Sequence, residues 1–168
     1  CGPSSSVAQL SAGEDREVIA YSDIPQVMID ATVATEDKNF FSHVGVAPLG
    51  IARALYRDLR NDGVTQGGST ITQQYVKNLL LTEARTPEEQ KAATEQTVSR
   101  KIRELKFALA LEQRLSKDEI LQNYLSSVYF GDGAYGIRAA ARTYFDKAPE
   151  QLTLGEAALL ASLVQAPS

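Results

Sequence analysis

The sequence predicts an all-α domain, and three observations carry that prediction. Apolar residues recur at helical spacing through most of the chain. Three segments, Thr86-Pro87-Glu88-Glu89, Ser116-Lys117-Asp118-Glu119 and Thr153-Leu154-Gly155-Glu156, place Ser or Thr three residues ahead of Glu. Each reads as a reciprocal capping box, in which the two side chains satisfy backbone N–H groups that the first helical turn leaves open. No hairpin signature appears.

The elements follow in order. Residues 1–14 read as a disordered tail, linker or cloning remainder, with residues 15–168 forming the domain proper. Cys1-Gly2 ahead of Pro3-Ser4-Ser5-Ser6 fits either a cloning boundary or the lipid-bearing start of a mature lipoprotein. Glu17–Tyr21 is a short apolar alternation and the one strand candidate. Asp23-Ile24-Pro25-Gln26 starts the first helix, with Pro25 in its first turn and Val27, Met28, Ala31 and Ala34 directed inward. Leu49–Leu59 reads as a second helix that Asn61-Asp62-Gly63 ends. Thr70 opens a third, Ser99–Leu115 is another, and Gly131-Asp132-Gly133 breaks the chain before a helix through Phe145. The chain stops at Gln165-Ala166-Pro167-Ser168, inside what reads as a continuing motif.

At 168 residues, with 43% hydrophobic and 23% charged content, the chain can bury a core without disulfides or metals. A net charge of −4 argues against a nucleic-acid partner, because binding a phosphate backbone requires a basic surface. Its one cysteine excludes an internal disulfide, and its one histidine, His43, cannot build a His-rich metal site. No apolar run reaches membrane-spanning length.

Glu36 ends the first predicted helix, on a stripe with Ile29, Thr32 and Val33. A carboxylate on an inward face is partly desolvated, which raises its pKa and suits it to proton transfer near neutral pH. On the residues alone the plainer reading comes first: Glu36 faces water and interacts with its own helix end, since perturbed carboxylates also occur in structural ion pairs. Asp37 points elsewhere, ionised or paired with a cation, while Phe40 and Phe41 read as core residues rather than a substrate platform and His43 as a structural donor rather than a catalyst.

Gln66-Gly67-Gly68-Ser69-Thr70-Ile71-Thr72-Gln73-Gln74 is a turn running into a helix, whose free N–H groups favour an anion, and Lys77 adds charge. It is not a Walker loop, since no Lys follows the second glycine before Ser/Thr. On the Ser99–Leu115 helix, Arg100, Glu104, Ala108, Leu111 and Leu115 share one stripe. Lys101 sits at its edge, with Arg103 and Lys106 on the opposite face. Arg100 and Glu104 form either a structural pair or part of a phosphate-holding cluster. Arg53, Arg57 and Arg60 make a basic stripe opposite Ile51, Leu55 and Leu59, which is a solvated face or a membrane-surface contact.

Taken together these segments resemble the glycosyltransferase family 51 domain of class A penicillin-binding proteins and monofunctional peptidoglycan glycosyltransferases. The resemblance runs from Asp15 to Ser168 through ordered motifs. They are Glu36-Asp37 with Phe40, His43 and Gly45; Gly67–Gln74 with Lys77 and Asn78; Arg100-Lys101 with Glu104; Lys117–Leu121 with Tyr124-Leu125 and Tyr129-Phe130-Gly131; and Gly136 through Tyr144-Phe145. The closing Glu156–Ala161 also matches. Two departures stand out: Ser126-Ser127 where the family commonly has Asn-Glu, and Asp146 where Gly usually follows Tyr-Phe.

The resemblance implies a lysozyme-like, two-lobed helical fold acting on lipid II and the growing glycan chain at the outer face of the bacterial cytoplasmic membrane. An anchor outside this sequence, and cell-wall synthesis proteins as partners, are implied with it. It implies Glu36 as general base and Glu104 as second catalytic carboxylate. Asp37, Phe40, His43, Ser69, Thr70, Gln73, Gln74, Lys77, Arg100 and Lys101 would bind substrate. No cofactor is required, though a divalent cation (Mg or Mn) at the pyrophosphate is an option. A lytic transglycosylase would also use a glutamate in a similar cleft, but would have no need of a pyrophosphate-binding cation cluster.

Overall fold

The computed structural model describes residues 18–44, 69–94 and 97–165. Among them the fold is all-α: seven α-helices, two short 3₁₀ turns (Tyr21–Asp23 and Pro149–Gln151) and no strand. The helices are α1 (Gln26–Glu36), α2 (Ile71–Glu83), α3 (Pro87–Thr94), α4 (Val98–Glu112), α5 (Lys117–Ser127), α6 (Gly136–Phe145) and α7 (Leu154–Gln165). The expected second helix, the Arg53, Arg57 and Arg60 stripe, the N-terminal tail and Gly67-Gly68 lie outside the described residues.

The capping chemistry is present as the sequence predicts. Glu89 accepts from the backbone N–H of Thr86 while Thr86 Oγ1 accepts from that of Glu89. The same reciprocal pattern joins Ser116 to Glu119 and Thr153 to Glu156. Lys147 binds Glu156 as well, at 2.6 Å, and this hydrogen bond is the main cause that holds the Glu156 carboxyl down at about 2. Thr70 and Thr97 cap α2 and α4 by accepting from the N–H three residues on.

α5 lies at the centre of the packing. Its Ile120, Leu121, Tyr124 and Leu125 are all fully buried, and it packs against α2, α6 and the first 3₁₀ turn. Full burial of large apolar side chains contributes about 1.5–3 kcal/mol each, so this helix is the main anchor of the core. α1 packs along α7, whose buried Ala157, Leu160 and Ala161 fall at i, i+3 and i+4. α2 is held between α4 and α5, and this places the start of α2 beside the end of α1.

Several details differ from the sequence expectation. Residues 18–20 join no sheet, although Ala20 is extended; Ile19 is instead buried in the helical core and its N–H donates to Ser126 Oγ. Pro25 precedes α1 as its cap, keeping the extended conformation that a proline at the helix boundary tolerates. The inward face of α1 carries Met28, Ile29 and Thr32, with Val27 and Ala31 partly buried, while Ala34 is exposed. Position 34 lies two residues from Thr32, about 200° round the helix, so both cannot face the core.

The two departures from the family pattern fall in this framework. Ser126 donates to the Gln122 carbonyl while accepting from Ile19, and Ser127 donates to the Asn123 carbonyl, so both hydroxyls are used within α5 and its contact with the N-terminal segment. Asp146 closes α6 in the left-handed region at φ 52°, its N–H donating to the Arg142 carbonyl. Glycine favours that conformation, which explains the usual residue there.

Gly136 opens α6 at φ +81°, where a Cβ would lie 2.4 Å from the Ser126 carbonyl oxygen. Gly136→Ala should therefore destabilise the domain by about 2–4 kcal/mol, through steric overlap and backbone strain together. Asp146→Gly should act in the opposite direction, stabilising by about 0.5–1 kcal/mol. Urea denaturation of both variants against the parent checks the pair, and a neutral Gly136→Ala would contradict the close approach.

Candidate functional site

Glu36 and Asp37 stand where α1 ends, and the two adjacent carboxylates face different partners. Asp37 is buried: His43 Nε2 lies 2.9 and 2.8 Å from its two oxygens, and the Ile71 N–H donates to it at 3.2 Å. That N–H belongs to the first residue of α2, where the positive end of the helix dipole favours an anion. Asp37 thus fastens the loop after α1 to the start of α2, and His43 is the cationic or N–H donor that completes it.

Glu36 is half-buried and receives a hydrogen bond from Gln74 Nε2 at 2.7 Å. Gln74 in turn accepts at Oε1 from the Tyr124 hydroxyl at 2.9 Å. Burial, reinforced by the nearby Glu36 charge, pushes the Tyr124 phenol well above its usual value, so it is a permanent donor at physiological pH.

A second group forms on α4. Glu104 is buried, with Arg100 Nη1 paired to one oxygen and Lys101 Nζ 3.6 Å from the other. Lys101 also donates to Ser69 Oγ at 2.6 Å, joining α4 to the residue just ahead of α2. Burial is the chief reason that the Lys101 ammonium lies below the usual lysine value; the Glu104 charge opposes that shift, whereas Arg100 and Lys77 add to it. Lys77, exposed on α2, is thereby placed near Lys101 and one turn beyond Gln74.

The sequence-predicted residues divide accordingly. Glu36 and Gln74 are joined directly, as are Glu104, Arg100, Lys101 and Ser69, and α2 links the two groups. Thr70 and Gln73 are buried in the first turn of α2, with Thr70 Oγ1 accepting from the Gln73 N–H. Phe40, expected to bind substrate, is wholly buried, with Phe41 edge-on to it and Lys117 Nζ 4.5 Å from its ring centroid. It supports the loop from within because its ring has no exposed face. Phe41, expected in the core, is instead about half exposed, at 52%, because the buried Phe40 ring takes the inward position and Phe41 packs only edge-on against it.

Three participants lie outside the predicted site residues, although two of them, Tyr124 and Lys117, stand in a quoted motif. Tyr124 reads as one more core residue of α5; the clue is that a buried phenol needs a partner for its hydroxyl. Glu112 and Lys117 pair at 2.7 Å, and Thr72 donates to Glu112 at 2.5 Å, tying α4, α5 and α2 together beneath Phe40. Thr72 and Glu112 lie 40 positions apart, beyond the reach of any local pattern.

A helical domain with one carboxylate oriented by an amide and a separate cation cluster around a buried glutamate carries the kind of site that enzymes build. Comparison with known proteins identifies the family. The family model described as Transglycosylase matches residues 4–168, further towards the N-terminus than the motifs alone reach. Penicillin-binding protein 1A of Haemophilus influenzae is 45% identical over 157 residues, covering 93% of this chain and 17% of the relative. Penicillin-binding protein 1F of Bacillus subtilis is 42% identical over 155 residues, covering 92% and 20%. Penicillin-binding protein 1A of Escherichia coli is 45% identical over 157 residues, covering 93% and 17%. The chain belongs to the transglycosylase family, and it spans about a fifth of the length of these relatives.

The Lys101 environment yields a direct test. Removing the negative charge in Glu104→Gln leaves burial, Arg100 and Lys77 acting against the ammonium, so the Lys101 pKa should fall further. An NMR titration of the Lys101 side chain checks this; an unchanged or higher value would show that Glu104 does not stabilise that cation.

Proposed function

We propose that this domain is a peptidoglycan glycosyltransferase that polymerises lipid II into β-1,4-linked glycan, with inversion and with undecaprenyl pyrophosphate as leaving group. The observation that carries the proposal is the presence of one oriented carboxylate, Glu36, and a distinct cluster of three cations, Lys77, Arg100 and Lys101, both tied to α2 and its start. A glycosyl transfer that expels pyrophosphate needs a base for the attacking hydroxyl and positive charge for the departing phosphates. Hydrolysis of a glycosidic bond needs an acid and has no use for such a cluster.

In this mechanism Glu36 takes the proton from the 4-hydroxyl of the incoming lipid II sugar. The oxygen attacks the anomeric carbon of the growing chain from the face opposite the pyrophosphate, and the C–O bond to pyrophosphate breaks with its electron pair on the phosphate. Gln74 holds the Glu36 carboxylate towards the acceptor. Lys101 and Arg100, fixed by Glu104 and Ser69, meet the phosphate charge along with Lys77. Because Lys101 is desolvated, its interaction with phosphate is stronger than that of a hydrated lysine.

Glu104 acts by positioning cations. Among the described residues its two oxygens already face Arg100 and Lys101, and no three acidic, His or Cys side chains gather as a metal site. These donors do not fit a protein-held divalent ion, so Mg or Mn, where used, would associate with the pyrophosphate oxygens themselves.

Among the described residues no helix is long and apolar enough to cross a membrane. The polyprenyl tail of the substrate places the reaction at the outer face of the cytoplasmic membrane, with anchoring supplied by chain outside these residues and with other cell-wall synthesis proteins as partners. Incubation of the purified chain with labelled lipid II should give glycan polymer. Glu36→Gln should reduce the rate by about 10²–10⁴-fold, the usual contribution of a general base. Release of fragments from polymeric cell wall, without polymer from lipid II, would overturn the proposal.

A further inference from the structure

The Glu36–Gln74 contact raises a question that the pair alone cannot answer. A glutamine amide can present either its NH₂ or its oxygen to a neighbour, and rotation about its last torsion exchanges the two. Facing a carboxylate, NH₂ attracts and the oxygen repels. The orientation therefore decides whether Gln74 supports or opposes the ionised form of Glu36.

We propose that Tyr124 is a positioning residue for the catalytic base: its hydroxyl, donating to Gln74 Oε1, locks the amide so that Nε2 is presented to Glu36. Tyr124 is fully buried, its hydroxyl is 2.9 Å from Oε1, and Nε2 is 2.7 Å from Glu36 Oε2. In this orientation both ends of the amide are matched, the phenol O–H donating to Oε1 and Nε2 donating to the carboxylate. A turned amide would set Oε1 against the carboxylate and leave the phenol only as an acceptor. The relay runs from α5 through α2 to the last residue of α1. Its ends are set by helix packing, because Tyr124 sits among Ile120, Leu121 and Leu125 in the core.

Among the described residues, the charged groups on the elements around Glu36 have partners of their own. Asp37 next to it is engaged by His43 and the Ile71 N–H. α7, packed along α1, carries only Glu156, which is held by Lys147. On α2, Lys77 lies near Lys101, and Glu83 acts on Tyr75. On α5, Lys117 is held by Glu112, Glu119 caps its own helix, and Asp118 acts on Tyr21.

The catalytic part of this inference rests on Glu36 being the base of the proposed reaction, whereas the relay can be tested without substrate. The experiment is a ¹³C NMR titration of the Glu36 side-chain carboxyl in the full 168-residue chain, assigned with Glu36→Gln. It is applied to the parent, Tyr124→Phe, Gln74→Met and the double variant. Tyr124→Phe keeps the ring and loses the hydroxyl, so Oε1 loses its donor and the amide is held at one end only. The Glu36 midpoint should rise by about 0.5–1 pH unit as the donor to the carboxylate is less firmly held. In the Gln74→Met background the same substitution should add no further shift, because Tyr124 acts through the amide.

With lipid II, Tyr124→Phe should move the acid limb of kcat upward by the same interval, lowering kcat about three- to tenfold on that limb, with KM within about twofold. An unmoved Glu36 midpoint in Tyr124→Phe, or an equal shift with and without Gln74, overturns the relay. A loss of thermal stability with an unchanged midpoint assigns Tyr124 to the core alone and also overturns it. If the parent makes no polymer, the functional proposal fails while the titration still decides the relay.

Discussion

The fastening of the end of α1 to the start of α2 is the constraint on which the rest of the site depends. Two neighbouring carboxylates make it. Asp37 accepts from the first N–H of α2 and from His43, and Glu36 accepts from Gln74 one turn further along the same helix. An anion at a helix N-terminus is stabilised by the open N–H groups and the dipole, so Asp37 is satisfied where it stands. The backbone then carries Glu36 in a different direction, as the abrupt change to φ −158° at Asp37 reflects. A division of labour between adjacent acids follows, with Asp37 holding the loop and Glu36 left for the role of base in the proposed reaction.

α2 extends that constraint to the cation cluster. Its first residues lie beside Ser69, which receives Lys101 from α4, and its outer surface brings Lys77 into the field of Lys101. A buried glutamate is costly unless its charge is matched, and Glu104 is matched twice. The arrangement favours geometry over stability: two cations that would repel each other are held at one place by the acid between them. The third tie, Thr72–Glu112–Lys117 beneath Phe40, keeps α4 and α5 in register with the loop that follows α1.

The departures from the family pattern show which differences the framework absorbs. Ser126 and Ser127 direct their hydroxyls to carbonyls four residues earlier, and Ser126 also takes the Ile19 N–H, so neither is left unsatisfied. Asp146 adopts the left-handed conformation that aspartate tolerates better than most residues do. Neither change reaches the Glu36–Gln74 contact or the Glu104 pairs.

Local rules determined a good deal. The capping boxes at Thr86, Ser116 and Thr153, the Thr70 start of α2, the break at Gly131-Asp132-Gly133 and the Arg100–Glu104–Ala108 stripe depend on residues within four or five positions, and each was legible in the sequence. The ordered motifs likewise named Glu36, Gln74, Lys101 and Glu104 as members of a site. Only the tertiary structure decided how they are joined. Whether residues 18–20 pair as a strand, whether Phe40 or Phe41 is buried, and whether Tyr124 is filler or a donor are each set by the element that arrives from elsewhere in the chain. Hydrogen bonds across 38 and 50 residues leave no periodic trace, because they follow from the packing of α1, α2 and α5 and not from the spacing within any one of them.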